Sequence, residues 1–288
     1  MGGPTLSLVV STLGRSVELI TLFQSLERQD AKSFEVIVVD QNDDDRIVPI
    51  VDMFSKTLTI RHLRKDGLLG LNRGRNQGWK AALGRYVLFP DDDCWYPPTF
   101  LSHGMALAEK SDADFVTGRA ADAGGRDVNG RYASAAHDIT RQNAWVSGIE
   151  WVLFVRRACI TQLGGFDENI GAGAASPWQA GDLQELLLRG LKCGLRGVYD
   201  PTLIGHHAEL DIITPDDKMI VKGRGYARGM GYVLRKSGFS VLSAGYWAFR
   251  SVANLAIALV RGKPDQARYY LNLAIGRMEG YFMTTIRL

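Results

Sequence analysis

The stretch GLLGLNRGRNQGWKAALGRYVLFPDDD, Gly67 to Asp93, decides how this chain is read. It opens on glycine-punctuated residues and runs into a helix predicted over Arg73–Leu83. It then turns at Gly84 and enters a short apolar strand, Arg85–Phe89. Three carboxylates, Asp91, Asp92 and Asp93, follow the strand directly. Side by side they repel one another, and a buried charge without a partner is costly. A bound cation would relieve the crowding. Oxygen-rich clusters suit hard divalent ions such as Mg2+ or Mn2+, which share their coordination with substrate phosphates. The plainer alternative is a solvated turn, since Asp is a common turn residue.

Outward from this block, strands alternate with helices. LSLVVS (Leu6–Ser11) reads as a buried strand, and Ser16–Gln29 carries Val17, Ile20, Phe23 and Leu26 at helical spacing. FEVIVVD (Phe34–Asp40) is a second strand, Ile47–Phe54 a helix with Pro49 near its start, and LTIRHL (Leu58–Leu63) a third strand. This order predicts a parallel sheet with helices on both faces. Beyond the triplet, the pattern predicts a helix over Phe100–Lys110 and a loop with a short hairpin over Ala120–Arg141. A strand at Trp151–Val155 and a helix at Arg157–Leu163, ended by Gly164-Gly165, come next. A mobile Gly/Ala-rich loop at Gly171–Gly181, a helix at Leu183–Cys193 and the extended segment LRGVYDPTLIGHH complete the body. Ligands of open parallel sheets bind outside the carboxyl ends of the strands. The triplet and Asp40 with QNDDD (Asp43, Asp44 and Asp45) should therefore line one cleft, although QNDDD taken alone reads as a solvated turn.

The 288 residues, 46% hydrophobic and 23% charged, suit one large α/β domain with an appendage. Cys94, Cys159 and Cys193 show no paired spacing, which argues against a disulfide framework or a zinc site and fits a reducing compartment. MGGPTLSLVV lacks the basic and long apolar regions of a signal peptide, so a cytoplasmic location is expected. The net charge of +3 hides an asymmetry: Lys218–Leu288 carries 12 basic and 2 acidic residues, the remainder 22 basic and 29 acidic. A basic tail on an acidic body suggests contact with something anionic. In that tail Ser237–Phe249 and Ser251–Val260 are apolar runs that stop at Arg250 and Arg261, each too short for a bilayer span. Pro264–Phe282 is predicted as an amphipathic helix with Ala267, Leu271, Ala274 and Met278 on one face. The tail's faces would either pack on the body or lie on an anionic membrane as a peripheral association. No nucleic-acid motif accompanies the charge.

The first strand is followed by STLGRS, with one glycine, so neither a dinucleotide fingerprint nor a Walker A loop is present. The Gly67–Asp93 block instead resembles the family 2 glycosyltransferases, which have the GT-A fold. There a segment like Arg75, Asn76 and Gly78 opens a helix leading to the strand that carries D-x-D, here Asp91 and Asp93. SLVVSTLGR resembles the family's first strand and loop, FEVIVVDQNDDD its second strand, and GGFDENIGAGAASPWQAGDLQELLLRG its acceptor loop and base-bearing helix. The match covers roughly residues 5 to 210 in four ordered motifs.

The resemblance implies an inverting, metal-dependent transfer from a nucleotide-diphosphate sugar, with UDP as the expected nucleotide. The acceptor would be a saccharide or a lipid-linked one, in surface or exported polysaccharide synthesis. It assigns Asp93 and His207 to a Mn2+ or Mg2+ ion, with His206 as the fallback, and Asp91 to the ribose or to the ion through water. Thr12, Arg15, Asp40 and Asn42 would read the nucleotide base, with Arg75 and Asn76 along the nucleotide. Asp92 belongs to the same triplet, but alternation along an extended chain would point it the other way. Asp182 matches the family's base, with Leu183 where a second acidic residue is usual; it also stands where a helix N-cap would, and Glu185 is the reserve. Trp145, Glu150 and Trp178 could contact the acceptor. The expected division is a GT-A domain over residues 1–215 and a basic helical extension over 216–288. The rivals are a sugar nucleotidyltransferase, for which STLGRS is a thin loop, and a non-catalytic relative, for which Asp182-Leu183 is the best support.

Overall fold

The computed structural model describes residues 3–65, 67, 69–209 and 212–286. The first two residues of the stretch compared with a signal peptide, and Leu68 of the glycine-rich block, lie outside the described residues.

Four strands form the parallel half of the sheet. β1 (Leu6–Thr12), β2 (Phe34–Asp40), β3 (Ile60–Arg64) and β4 (Tyr86–Leu88) are joined by α1 (Glu18–Glu27), α2 (Val48–Phe54) and α3 (Leu71–Ala81). β1 pairs in parallel with β2, in register from Leu6↔Phe34 to Thr12↔Asp40, and with β4 on its other side. Every residue of β1 and β2 is buried, Ser7, Glu35 and Asp40 among them, as strands covered on both faces require. Leu6, Leu8, Val10, Val36 and Val38 pack with Leu19, Leu22, Phe23 and Leu26 of α1 and with α2. The opposite face takes α3, brought close by glycine: a Cβ on Gly78 would stand 2.2 Å from Val9 Cγ1, and one on Gly74 2.0 Å from Ser11 Oγ.

After the triplet come β5 (Cys94–Trp95), α4 (Phe100–Ser111), β6 (Phe115–Ala121) and β7 (His137–Asp138), then two 3-10 turns, Ala144–Val146 and Glu150–Val152. β8 (Phe154–Arg156), α5 (Arg157–Leu163), α6 (Asp182–Lys192) and β9 (Gly197–His207) follow. Among the described residues the sheet order is β3-β2-β1-β4-β8-β6-β9-β5, with β7 beside β9. β8 is antiparallel to β4 and β6, and β5 is antiparallel to β9, so the sheet is mixed beyond its first four strands. The predicted strand Trp151–Val155 is in fact a 3-10 turn leading into β8. β6 lies partly inside the predicted loop Ala120–Arg141; FVTGRAA is too interrupted by Gly and Arg to show as an apolar run. α5 ends as predicted, with Gly164 left-handed at φ 75°.

The chain groups into two compact units: Met1–Phe166 with Leu186–Glu209, and Asp167–Glu185 with Leu210–Leu288. The second contains α7 (Asp217–Lys236), α8 (Val241–Val260) and α9 (Pro264–Tyr281). α7 has no counterpart among the helices that the sequence pattern predicts. α8 runs unbroken through Arg250, where two separate apolar runs were expected. α9 has nearly the predicted bounds but buries Ala267, Tyr269, Ala274, Gly276, Glu279 and Gly280, while Leu271 is exposed. α7 and α9 meet backbone to backbone: a Cβ on Gly231 would stand 2.1 Å from Arg277 O, and one on Gly280 1.9 Å from Arg228 O. Glu279 lies buried between these helices, accepting from Arg224 Nε at 3.0 Å and Arg228 Nε at 2.7 Å. Burial raises the Glu279 carboxyl, but Arg224, Arg228 and the Ile286 N–H outweigh it and hold it at about 2.

Candidate active site

Strand pairing brings the candidate metal residues together. The two-residue strand β5 pairs Cys94 with His207 and Trp95 with His206. Asp93, one residue before Cys94, therefore stands at the end of β9. His207 Nε2 lies 2.9 Å from Asp93 Oδ1. His206 takes the other face, stacked on Trp95 with Nδ1 against Ala121 O at 2.9 Å. The alternation of β9 thus chooses His207 over His206. Ligand atoms of Asp91, Asp93 and His207 all lie within 4.8 Å of one another.

These three groups fit a divalent ion. The two carboxylates suit Mn2+ or Mg2+, and the imidazole nitrogen favours Mn2+ of the two. His207 Nδ1 donates to Ala208 O at 2.6 Å, which fixes the ring and leaves Nε2 for the ion, the usual outer anchoring of a ligand histidine. Trp151 stacks on the same ring, with centroids 4.9 Å apart. Burial raises the Asp93 carboxyl, but His207 and then Arg15 outweigh it, leaving Asp93 at about 2. Burial lowers the His207 pKa, yet the hydrogen bond and charge of Asp93 raise it above its ordinary value.

Asp92 is not turned away. Asp92 and Asp93 occupy a turn between β4 and β5, so the alternation of extended chain does not apply. Thr12 Oγ1 donates to Asp92 Oδ2 at 2.7 Å, and Arg15 Nη1 lies 3.2 Å from Asp92 Oδ1 and pairs with Asp93. Burial lifts the Asp92 carboxyl to about 6, only partly offset by Arg15 and Thr12. Arg75, fully buried on α3, reaches Asp91 Oδ1 at 3.1 Å from behind. Thr12, Arg15, Arg75, Asp91, Asp92, Asp93 and His207 are therefore one connected set.

Other candidates face inward. Asp40 is fully buried: its Oδ1 accepts from Asn42 N at 3.0 Å and Asn42 Nδ2 at 2.8 Å, and His62 Nε2 stands 2.9 Å from its Oδ2. Asn42 Oδ1 in turn accepts from Gly14 N at 2.6 Å, tying the loop after β2 to the loop after β1. Asn76 is turned to the backbone of Phe166, donating to its carbonyl and accepting from its N–H, both at 2.9 Å. Asp44 and Asp45 are exposed and paired with Arg46 and Arg64, so QNDDD is largely the solvated turn that its composition suggested.

The second unit holds Asp182, Glu185 and Trp178. Asp182 is the first residue of α6, and the cap position belongs to Gly181, at φ 95°, whose carbonyl accepts from Glu185 N at 2.9 Å. Asp182 therefore does not fill the cap position that the sequence offered it. Glu185 is held by Lys236 Nζ at 2.7 Å, which also takes Asp167 at 2.6 Å. The loop expected to be mobile lies on α7: Gln179 N donates to Gly225 O at 3.2 Å, Trp178 stacks on Tyr232, and a Cβ on Gly229 would stand 2.1 Å from Ala180 O. Beside it a cavity of about 620 Å³ is lined by Ala172 and Gln179 of the loop and by Asp217, Lys218, Val221, Lys222 and Tyr226 of α7. Trp145 and Glu150 lie in the first unit's two 3-10 turns. The sequence offered no sign of Trp151, His62 or Lys236; each is identified by a partner distant in the chain.

Comparison with known proteins agrees with this architecture. The glycosyl transferase family 2 model matches residues 7–161, more than half of the chain. An uncharacterized glycosyltransferase of Haemophilus influenzae is 34% identical over 112 residues, 38% of this chain and 37% of that protein. The GalNAc(5)-diNAcBac-PP-undecaprenol beta-1,3-glucosyltransferase of Campylobacter jejuni is 36% identical over 92 residues, 31% of this chain and 30% of that protein. The chain thus spans about a third of the length of these two relatives. Among solved structures, a Pyrobaculum calidifontis mannosyltransferase in complex with GDP-Man and Mn2+ superposes with a TM-score of 0.64 at 16% identity, over 96% of this chain and 87% of that one. S. aureus TarS 1-349 in complex with UDP-GlcNAc gives 0.59 at 15% identity, over 98% and 93%. At these identities the structures speak for the fold, a mixed α/β sheet of the GT-A type with helices at the C-terminus. With the family model matching from β1 to α5, the chain belongs to glycosyl transferase family 2.

Proposed function

We propose that the protein is an inverting, metal-dependent glycosyltransferase that moves a sugar from a nucleotide-diphosphate sugar to a saccharide or lipid-linked acceptor. The observation that carries this reading is the convergence of Asp91, Asp93 and His207 within 4.8 Å. A divalent ion held there would neutralise the charge of the leaving diphosphate. Arg15, on the loop after β1, offers a second cation at the same carboxylates. Asp91 holds the ribose, and Thr12 places Asp92. Asp40 and Asn42 act by fixing the loops that receive the base. Asp182 takes the proton from the acceptor hydroxyl, which attacks the anomeric carbon opposite the leaving nucleotide, and one displacement inverts that carbon.

UDP is the favoured nucleotide; a structure of the same fold holds UDP-GlcNAc, although another holds GDP-Man. A relative is named for a polyprenyl-diphosphate-linked acceptor. The cavity beside Gly171–Gly181 sets Lys218 and Lys222, with Asp217 and Gln179, among apolar side chains, and the two lysines suit a phosphate joined to an apolar chain. Surface or exported polysaccharide synthesis at the inner face of a membrane is the matching role. A thermal-shift screen of nucleotide sugars with Mn2+ tests the donor: a ligand that binds only the folded state raises its melting temperature. A UDP-sugar should raise it with Mn2+ present; no shift with any nucleotide sugar sinks the reading.

A further inference from the structure

Helix α8 buries one side and presents the other to solvent. Ala244, Ala248, Ser251 and Ala258 are buried, and Arg277 of α9 donates to Trp247 O at 2.5 Å. The outer side carries Leu242, Tyr246, Phe249, Ala253, Ile257 and Val260, spaced three and four apart and therefore in one stripe. Leu242 is 80% exposed, Phe249 68% and Val260 89%. The helix is about 30 Å long, and monomeric soluble surfaces rarely expose an apolar strip of that extent. Among the described residues no helix is long and apolar enough to cross a membrane.

Charge identifies what the strip meets. From Val241 to Lys263 there is no Asp or Glu. Arg250 is the only charged residue within α8, half-buried, with its guanidinium 4.9 Å from the Trp247 ring centroid and 5.9 Å from that of Tyr246. Arg261 and Lys263, both exposed, follow the helix end. A second copy of the chain is a poor occupant. Arg250 lies at the middle of α8, so antiparallel pairing would oppose Arg250 to Arg250. Parallel pairing would set every basic residue against its own kind, with no acidic side chain to offset either.

We propose that the outer face of α8 lies on an anionic lipid bilayer surface. Leu242, Phe249 and Val260 enter the boundary between headgroups and acyl chains, and Arg250, Arg261 and Lys263 meet the lipid phosphates. Long basic side chains can keep their charge at the headgroups while their stems lie along apolar surface. The proposal sharpens the membrane-side role given above, yet the binding itself requires neither donor nor turnover.

Co-sedimentation of the full chain with phosphatidylcholine vesicles, with and without phosphatidylglycerol, tests it. Binding to the anionic vesicles is expected, weakening as salt rises, with little binding to phosphatidylcholine alone. The double substitution F249E/V260E should weaken that binding by about tenfold or more, and R261Q/K263Q should weaken it on the anionic vesicles alone. These side chains face solvent, so both variants should keep the wild-type circular dichroism and melting temperature. Absence of binding to anionic vesicles, or binding that neither variant changes, overturns the proposal. So does a dimer in size-exclusion chromatography that F249E/V260E dissociates. A chain that binds vesicles but no nucleotide sugar would sink the proposed activity and leave this surface intact.

Discussion

Asp182 carries the heaviest single assignment. It is buried at the start of α6, while Gly181 fills the cap position. Removing its charge should act on the proton transfer more than on folding. Asp182→Asn is expected to lower the transfer rate by about a hundredfold or more, the usual range for a lost general base, with donor affinity kept. Full turnover in that variant would reduce Asp182 to a structural residue. Glu185 is a different case, since Lys236 holds it at 2.7 Å. Glu185→Gln should lower the melting temperature and leave the rate of whatever fraction stays folded close to wild type. His207 was legible in the sequence only through its family resemblance. Its choice over His206 required the β5–β9 register, which pairs Cys94 with His207. Asp92 departs from the alternation expected of extended chain because the triplet turns.

Among the elements, the legible ones are those whose stability is local. β1 and β2 are short apolar runs rich in Val and buried on both faces, and α5 ends on a left-handed glycine. α7 escaped because Gly223, Gly225, Gly229 and Gly231 make it a poor helix by propensity. Its glycines let other backbone approach, a contact that no local window contains. Gly280→Ala, across the same α7–α9 contact, would set a Cβ 1.9 Å from Arg228 O. It should cost about 1–3 kcal/mol or more, the usual range for overpacking. Gly245→Ala in α8 has nothing within 4 Å of the added carbon and should be neutral or stabilising by up to about 1 kcal/mol. Urea unfolding of the two variants makes the comparison, and equal effects would contradict the close packing of α7 on α9. Arg250 interrupts the apolar pattern of α8 in the sequence but not the helix. Its guanidinium lies over aromatic rings, and the helix continues beneath it.

At the scale of the whole molecule, each unit rests on its own charge arrangement. The buried Glu279 stabilises the second unit only while ionised. Its folded-state pKa of about 2 lies below the ordinary 4.5, so its contribution is complete above pH 4.5 and is lost as pH falls towards 2. The loss is on the order of 2–3 kcal/mol. Melting temperatures across that acid range should fall more steeply in the wild type than in Glu279→Gln; identical slopes would refute the pairing. The first unit holds the claim on which function turns, that Asp91, Asp93 and His207 make a metal-dependent nucleotide site. Calorimetric titration of UDP with and without Mn2+, in the wild type and in Asp93→Ala, tests it most directly. Mn2+ should strengthen UDP binding in the wild type, and the gain should disappear in Asp93→Ala. UDP affinity that changes with neither the ion nor the substitution would contradict it.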